Sequence, residues 1–471
     1  MAQFVIAGSP DCPAFVRVVH VAGYLQDNLP NFKVHIIQKP SEKFKSWLQK
    51  INEKNNWYHC DSPIIWKELT IRGGIPHYLG GVSEFWEYVY NYYGLQSIKR
   101  GEHLKKLIEE NLEQEIQKQV TNIGIFGTQN NVLPLLLSEL IQLPELQRVG
   151  GMVIHLYDPY ATEEVVNDVI NDLRYITVGY CRKFEVAVKL KDLLTGCHLL
   201  IILGDLTRKI YESETDWFLR NLSQMHMLAD AINANTNRNL RIIVASFGPV
   251  CFNVNALIES CTTVRIGNIV GVTSDIGLGA IKKAADFTGL NLHNVGAPPV
   301  WGFVGVNNFI DVKSAIVYCE MLLPYQRALK NKGGSTLPLG TVYSELRFMS
   351  YLIKDATEIC TKATETRKTA QKLLNRNVVY SKVRATISLI KLWCAAEPTD
   401  DIISLGICSN GTYGIPAGLV FSQPAILKNN VWVPFEHFPV MEETKQEIKK
   451  LIDLTEQVTH LMNVSSSTVH L

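Results

Sequence analysis

The segment "PPVWGFVGVNNFIDV", residues 298–312, could place catalytic side chains at the end of a strand. An apolar run leads to a Trp301-Gly302 break, and in α/β folds functional groups commonly follow such strand ends. The next residues are Phe303 and Val304, whose side chains cannot transfer a proton. The segment therefore predicts either an active-site strand that has lost its chemistry or a strand that never had any.

Residues 122–158 carry a weak signal for a dinucleotide site. The strand "NIGIFG" ends at Gly127, and a glycine turn at a helix N-terminus lets the backbone approach a pyrophosphate. Asn130 occupies the second glycine position, and Leu133 the third, where it would separate helix from strand or cover the phosphate slot. Asp158 ends the second strand, where an acid binds the adenosine ribose. We expect a Rossmann sheet that has lost its NAD site, with NAD binding through these residues as the open alternative.

The elements that position these residues alternate along the chain. From residue 122 to "LRIIVASFG", strands alternate with helices, a pattern typical of βαβ units and a parallel sheet. After residue 264 helices mix with strands, and "SLGICSNGTYGIPAGLVFSQPAIL" predicts a β-hairpin in which Asn410-Gly411 forms a type I′ turn. The sequence therefore predicts an α/β protein.

The first hundred residues form a separate pattern of strands and helices. They are followed by "GEHLKKLIEENLEQEIQKQ", whose charges indicate a connecting helix rather than a core element. The predicted division is a first domain at 1–98, a helical linker at 99–120, and two further domains at 121–263 and 264–465.

Composition excludes several classes of function. The chain has 471 residues, of which 46% are hydrophobic and 19% charged, and a net charge of +1, so it can bury substantial cores but lacks a nucleic-acid-binding surface. Its apolar runs are far shorter than the roughly 20 residues that span a membrane. The ten cysteines form no CxxC pair and no zinc-ligand spacing, which indicates reduced thiols and no metal site. With no signal peptide at its start, we expect a cytoplasmic protein.

Three segments together resemble the cytosolic malate dehydrogenases of the lactate/malate dehydrogenase family, over residues 121–465. They are "HLLIILGDLTR", "PPVWGFVGVNNFIDV" and "IISLGICSNGTYGIPAGLVFSQPAILKNNVW". The resemblance implies an NAD-binding Rossmann domain followed by the α+β C-terminal domain of that family. It also implies hydride transfer to NAD, in which a His–Asp pair takes the hydroxyl proton and three arginines hold the two carboxylates of malate.

The positions that match the family's proton-transfer residues are altered. The catalytic His follows a Trp-Gly-Asn motif in the family, and that position is Val304 here. Its Asp partner falls at Ser274 or Asp275, and the third substrate Arg at Gly277 or Leu278. Neither register supplies an arginine, and an Asp without a His to orient has no catalytic task. Loss of a general base costs about 10²–10⁴-fold in rate.

The other substrate and cofactor positions are also degraded. Arg208 matches the first arginine of the substrate loop, but the second position is Glu214. Each charge-assisted Arg contact contributes roughly 1.5–3 kcal/mol, so binding of a dicarboxylate should be weakened by several kcal/mol. "ASFGPVCFN" replaces the family's Asn-Pro-x-Asn turn, with Asn253 as the plausible remnant. Neither Tyr211 nor His293 stands where the family geometry requires a proton donor.

The N-terminal segments "SPDCPAF", "DSPIIW" and "YLGGVSEFWEYV" resemble the glutaredoxin branch of the thioredoxin fold. Cys12 keeps the first cysteine of the Cys-Pro-x-Cys motif, whereas Phe15 replaces the second. Pro63 matches the cis-proline and Gly80-Gly81 the turn before the last helix. A thiol at a helix N-terminus should have a lowered pKa. Without the second cysteine, dithiol exchange is excluded, whereas monothiol or glutathione-linked chemistry is not. We expect instead a docking module in which Cys12 is an ordinary thiol.

These residues predict a pseudoenzyme that serves as a structural or interaction subunit. The divergent malate dehydrogenases with an extra N-terminal domain are associated with sperm and motile-ciliated cells. The resemblance thus implies protein partners in the axoneme or cytoskeleton of a cilium or flagellum, and a homodimer. The alternatives are an NAD-dependent oxidoreductase with another substrate and an inactive sensor that binds the cofactor.

Overall fold

A computed structural model of the chain describes residues 2–69, 75–93, 120–128, 131–147, 151–160, 163–174, 181–204, 206–322, 342–397 and 399–468. The chain divides into two compact units, Met1–Val120 and Thr121–Leu471. The predicted linker helix of residues 99–120 lies outside the described residues except for Val120. The predicted division at residue 263 stays a prediction. Strands on both sides of that residue belong to one sheet.

The described residues of the first unit form a four-stranded sheet with three helices. Its elements are β1 (Ala2–Gly8), α1 (Pro13–Asn28), β2 (Lys33–Gln38), α2 (Ser41–Asn55), β3 (Ile64–Leu69), β4 (His77–Gly80) and α3 (Val82–Tyr93). The strand order is β2-β1-β3-β4, with β1 parallel to β2 and antiparallel to β3. Aromatic side chains fill one face, where Phe4, Phe15 and Phe85 are buried. The assignment of this unit to the thioredoxin fold stays a prediction.

The second unit begins with the predicted βαβ units. Its elements up to residue 272 are β5 (Thr121–Phe126), α4 (Val132–Leu140), β6 (Met152–Tyr157), α5 (Glu163–Arg174), β7 (Lys183–Val186), α6 (Leu190–Leu194), β8 (Leu199–Ile202), α7 (Glu214–Asn235), β9 (Arg241–Val244), α8 (Val250–Ser260) and β10 (Ile269–Val272). These six strands are parallel to one another. The alternation of strands with helices therefore predicted this part of the fold correctly.

The rest of the second unit extends the same sheet. The elements are α9 (Asp275–Thr288), β11 (Val300–Trp301), β12 (Phe309–Ile310), β13 (Ile316–Leu322), β14 (Val342–Phe348), α10 (Thr357–Leu374), α11 (Tyr380–Cys394), β15 (Ile403–Cys408), β16 (Val420–Lys428), β17 (Val431–Pro434) and α12 (Glu442–Thr468). Strands β15, β16 and β17 continue the sheet with antiparallel pairing, which gives nine strands in the order β17-β16-β15-β10-β9-β8-β5-β6-β7.

Alternating side chains of the central strands pack on opposite faces of this sheet. Ile201 and Ile243 belong to the core that contains helices α4 and α11. Leu200 and Ile242 belong to the core that contains helices α7 and α8. Because both faces are covered, the strands are continuously apolar, as parallel sheets usually are.

The predicted C-terminal hairpin is present, but its predicted turn is wrong. Strands β15 and β16 are antiparallel, and residues 409–419 connect them rather than a two-residue turn at Asn410-Gly411. The type I′ geometry occurs at the next connection, where Asn429 and Asn430 have φ angles of 51° and 63°. These two residues join the paired ends of β16 and β17. Both positions of a type I′ turn require positive φ, which asparagine tolerates.

Candidate functional site

A cavity of about 730 Å³ lies in the second unit, beyond the carboxyl ends of strands β8 and β9. Its wall combines the loops that follow these strands with residues 304–306 and with helices α9, α10 and α11. In parallel α/β sheets, ligands bind beyond the carboxyl ends of the strands. The cavity is therefore the candidate functional site.

The segment of residues 298–312, which contains Trp301-Gly302, forms part of this wall. Trp301 is fully buried and packs edge-to-face against Tyr413, with their ring centroids 5.1 Å apart. Gly302 is tied to β16, because Ser422 donates its N–H to the Gly302 carbonyl at 2.8 Å. Val304 follows and lines the cavity with a side chain that has neither a donor nor an acceptor. The segment thus places an aliphatic side chain, which cannot act on a proton, in the wall of the cavity.

Asp275 is held by two cations that the sequence analysis missed. It is the first residue of α9, lines the cavity and is 1% exposed. Its Oδ1 accepts a hydrogen bond from Lys382 Nζ at 2.8 Å, and its Oδ2 accepts one from Arg367 Nη2 at 3.1 Å. Lys382 Nζ also donates to the Val272 carbonyl at 3.1 Å. The Asp275 carboxylate is therefore neutralised within the chain.

The sequence pattern of α11 indicates that Lys382 is buried. Val383, Ile387 and Ile390 are buried on this helix, and Lys382 falls on the same buried side. A lysine on the apolar face of an amphipathic helix is unusual and requires a buried partner. The sequence does not say which carboxylate that partner is, because Asp275 lies far away along the chain.

The two positions that could match the third substrate arginine have different surroundings. Leu278 lines the cavity, whereas Gly277 lies against the carbonyl of Pro298. A Cβ at Gly277 would come within 2.5 Å of that oxygen, so a side chain has no room there. Ser274, the other candidate for the aspartate position, does not line the cavity.

Arg208 and Glu214 are not brought together. Arg208 lines the cavity, and its Nε donates to the Glu212 carbonyl at 2.8 Å. Glu214 begins α7, is exposed and does not line the cavity. Glu214 is therefore not part of the candidate site. Tyr211 is fully exposed, and neither it nor His293 lines the cavity, in accord with their rejection as proton donors.

The loop that carries Arg208 is fixed by an ion pair. Arg220 donates from Nε and Nη2 to the two carboxylate oxygens of Glu212, at 2.7 and 3.0 Å. The same Nη2 donates to the Thr207 carbonyl at 2.9 Å, and the N–H of Lys209 donates to Glu212 at 3.0 Å. The hydrogen bonds from Arg220 are the main cause that lowers the pKa of Glu212 to about 2. These hydrogen bonds hold the loop of residues 207–212 against helix α7.

We expect Arg220→Gln to raise the pKa of Glu212 toward the ordinary glutamate value of about 4.3, because the charged partner is removed. The folded pKa lies below the unfolded one, so the pair stabilises the loop at neutral pH, and this contribution is lost as the pH falls through about 2. A carboxyl-carbon NMR titration of selectively labelled protein measures the shift. The exposed Arg238 provides the control Arg238→Gln, and an unchanged Glu212 pKa in Arg220→Gln would contradict the assignment.

The candidate nucleotide residues lie in a different part of the second unit. Gly127 has a φ of 91°, and a Cβ there would come within 2.3 Å of the Leu203 carbonyl, so packing alone requires glycine. Thr128 donates to Asp158 Oδ2 from its N–H at 2.6 Å and from its hydroxyl at 3.3 Å. The N–H of Tyr160 donates to Asp158 Oδ1 at 2.9 Å. The predicted ribose ligand therefore joins two loops of the chain.

The other candidate nucleotide residues add little to that site. Leu133 is 1% exposed and packs in the core between α4 and the sheet. Asn130 lies outside the described residues. Asn253 is buried inside α8, where its Nδ2 donates to Asn221 Oδ1 at 3.2 Å, and it does not line the cavity. Nothing in these contacts brings Asn253 toward Gly127 or Asp158.

In the first unit, Cys12 and Pro63 lie close together. Cys12 precedes α1, and its thiol donates to the Ser62 carbonyl at 3.2 Å. The Ser62–Pro63 peptide bond is cis, as the match of Pro63 implied. Phe15 is fully buried where the second cysteine would stand. The arrangement leaves one thiol beside the cis peptide and no partner thiol at position 15.

In the described part of the chain, the His, Cys, Asp and Glu side chains form no group of three or more that could hold a metal ion. Of its helices, none has both the length and the apolar character that crossing a bilayer requires.

The sequence of the chain is similar to those of known proteins. Residues 3–124 match the family described as "Putative malate dehydrogenase 1B N-terminal domain". A Bos taurus protein described as "Putative malate dehydrogenase 1B" is 28% identical over 469 residues, which cover 96% of this chain and 94% of that protein.

Solved structures of dehydrogenases have a fold similar to that of this chain. A malate dehydrogenase from Naegleria fowleri superposes with a TM-score of 0.60 at 15% identity, covering 73% of this chain and 98% of that one. A Trichomonas vaginalis lactate dehydrogenase in complex with NADH and oxamate also has a TM-score of 0.60 at 15% identity, covering 74% and 99%.

About three quarters of the chain has the fold of lactate and malate dehydrogenases, which confirms the α/β fold class predicted from the sequence for that part. Over nearly its whole length, the chain is similar to proteins described as "Putative malate dehydrogenase 1B".

Proposed function

We propose that the protein is a malate dehydrogenase-like pseudoenzyme that works as a structural or interaction subunit. The observation that carries the proposal is the wall of the cavity. Val304 stands at the position of the family's catalytic His, and its buried side chain is aliphatic. Asp275, at the position of the partner of that His, is neutralised by Lys382 and Arg367. Among its described residues, such a wall offers no imidazole to take the hydroxyl proton that hydride transfer from an alcohol releases.

The described residues fit NAD poorly. The carboxylate of Asp158, which should accept hydrogen bonds from the ribose, already accepts them from Thr128 and Tyr160. Leu133 occupies the position at which a small residue lets the helix approach the strand. These contacts support the proposal that the protein binds no NAD, although the Trichomonas vaginalis relative was solved with NADH.

We expect purified protein, titrated with NADH to millimolar concentration, to leave the fluorescence of NADH equal to that of the same NADH in buffer. We also expect no NADH oxidation when oxaloacetate is then added. The reason is the loss of both the ribose ligand and the proton-transferring His. A malate dehydrogenase of known activity, assayed in parallel, serves as the control. Binding without oxidation would favour a cofactor-binding sensor instead, and turnover would refute the pseudoenzyme proposal.

One observation favours the alternative of an NAD-dependent oxidoreductase with an altered substrate. Lys382 lines the cavity with its ammonium group beside Asp275, and a positioned ammonium group can act as a general acid. The assay that detects turnover also tests this role. If turnover is found, Lys382→Met should reduce kcat by about 10²-fold or more while leaving NADH binding intact.

The proposed partners are proteins of the axoneme or cytoskeleton in cilia or flagella, with a cytoplasmic location and a possible second copy of the chain. The support is the resemblance to malate dehydrogenase 1B proteins alone. Retention of the tagged protein with detergent-extracted axonemes, against release with the cytosol, tests the location. Light scattering of the purified chain tests the homodimer.

A further inference from the structure

We propose that strand β2 of the first unit pairs with β2 of a second copy of the chain, antiparallel and about a two-fold axis at Ile37. The partner is thus the chain itself, and the pairing joins two four-stranded sheets into one continuous sheet. The inference deepens the proposed role as an interaction subunit and rests on that proposal. The NADH titration tests the proposed function and cross-linking tests the pairing, so either can fail without the other.

Strand β2 lies at the edge of its sheet and has few of the features that protect sheet edges. It ends the order β2-β1-β3-β4 and pairs with β1 over six residues without a bulge. Strand β4, at the opposite edge, has four residues and a shift of register against β3. Short strands, bulges, proline and charged side chains prevent the pairing of edges. In "KVHIIQ" the one lysine stands at the end, and the other residues include three that are β-branched, which favour strands.

The direction of the main-chain groups on β2 follows from its pairing with β1. Just beyond β2, Lys39 donates its N–H to the Gly8 carbonyl at 3.0 Å. In a parallel pair, successive residues of a strand direct their main-chain groups alternately toward the neighbouring strand and away from it. Residues 33, 35 and 37 therefore face β1, and residues 34, 36 and 38 face the open edge.

One part of this edge has unused hydrogen-bonding groups. Val34 donates its N–H to Gln26 Oε1 at 2.9 Å, so its outward donor is already satisfied. The outward main-chain groups of Ile36 and Gln38 have no hydrogen-bond partner among the described residues. The free part of the edge is thus the segment of residues 36–38.

Pairing about Ile37 uses these groups. It sets Ile36 of one copy opposite Gln38 of the other, and each such pair exchanges two main-chain hydrogen bonds. Val34 stays outside the bonded segment, so its hydrogen bond to Gln26 is kept. A two-fold axis requires a surface that is complementary to itself, and this register meets that condition.

The side chains favour the same register. Lys39 lies opposite His35 in it, and Ile37 lies opposite its own counterpart. A register centred on Ile36 would instead set Lys33 opposite Lys39, and like charges directly opposite each other destabilise a strand pair. The side chain of Ile36 is 42% exposed, an unusual position for a large apolar residue in the middle of a strand. Pairing covers part of it.

The test traps the pair in the full chain, with the exposed Cys60 replaced by serine. Residues of a non-hydrogen-bonded antiparallel pair have Cα atoms roughly 4.5 Å apart, a distance that a disulfide can span. We therefore expect Ile37→Cys to form an intermolecular disulfide in oxidised glutathione, seen as a dimer on non-reducing electrophoresis. Absence of this dimer would overturn the proposal.

His35→Cys is the matched control, because this residue is exposed and lies on the same strand but does not meet its own counterpart. It should give no dimer alone. A mixture of His35→Cys and Lys39→Cys chains should cross-link, because the register sets these two positions opposite each other. Equal cross-linking of His35→Cys alone and Ile37→Cys would indicate random collision and would contradict the pairing.

A second variant tests the pairing without a change of thiol position. Adding Ile36→Lys to the Ile37→Cys chain should lower the rate of cross-linking by about 10-fold or more, because a charge on an edge strand prevents pairing. Ile75→Lys is the control, since Ile75 is 86% exposed and precedes β4 at the opposite edge. Thermal unfolding verifies that both variants fold. An equal rate with and without Ile36→Lys would overturn the assignment of the surface to β2.

Discussion

Asp275→Asn is expected to lower the free energy of unfolding of the second unit by about 3–5 kcal/mol. The side chains of Asp275 and Lys382 are only 1% and 4% exposed, and removal of one charge leaves the other buried without a counter-ion. Arg367 loses a partner in the same step. Urea unfolding, followed by hydrogen exchange of peptides from the second unit, measures the change.

Two controls separate this effect from general charge loss. Glu358 and Lys362 form an ion pair on α10 in which both side chains are more than half exposed, so Glu358→Gln should cost at most about 1 kcal/mol. The double variant Asp275→Leu with Lys382→Met should be more stable than Asp275→Asn, because well-packed apolar residues can replace a buried pair. A cost below about 1 kcal/mol for Asp275→Asn would show that the pair is not buried in solution.

Gly305→Ala is expected to destabilise the second unit by about 2–5 kcal/mol. The backbone at Gly305 has a φ of 107°, and a Cβ there would lie 2.3 Å from both the Gly248 carbonyl oxygen and the Pro249 Cα. Left-handed strain costs about 1–2 kcal/mol, and overpacking against backbone costs about 1–3 kcal/mol more. The same unfolding experiment measures the change.

Gly411→Ala isolates the strain from the clash. Gly411 has a similar φ of 98°, but nothing lies within 4 Å of the position of its Cβ. We therefore expect a cost of only about 1–2 kcal/mol. Equal costs for the two variants would mean that the loop of Gly248 moves aside freely, and that the contact between the loops does not hold residue 304 in place.

Much of the fold was predictable from local patterns. The strand "NIGIFG" and the strand "LRIIVASFG" each read as a continuous apolar run because both faces of the sheet are covered. The C-terminal hairpin was also predictable, yet its turn was not. The pairing of Cys408 with Val420 places Asn410-Gly411 inside the longer connection of residues 409–419, and a local sequence does not reveal that register.

The site was predictable only in part. The place of Val304 followed from the Trp-Gly segment, and the cavity of the structure includes both Val304 and Asp275. The cations on α10 and α11 escaped prediction, because contacts between Asp275, Arg367 and Lys382 depend on how distant helices meet. Local sequence carries periodicity, but it does not carry the pairing of charges that lie about a hundred residues apart.

The packing at Gly277 has a further consequence for the redesign of this chain. A Cβ there would come within 2.5 Å of the Pro298 carbonyl oxygen, so an arginine placed at residue 277 would meet backbone rather than open space. Leu278, one residue further along α9, lines the cavity. A designer who wishes to add a cation to the cavity wall should therefore vary residue 278 and leave residue 277 unchanged, although the two positions are neighbours in the sequence.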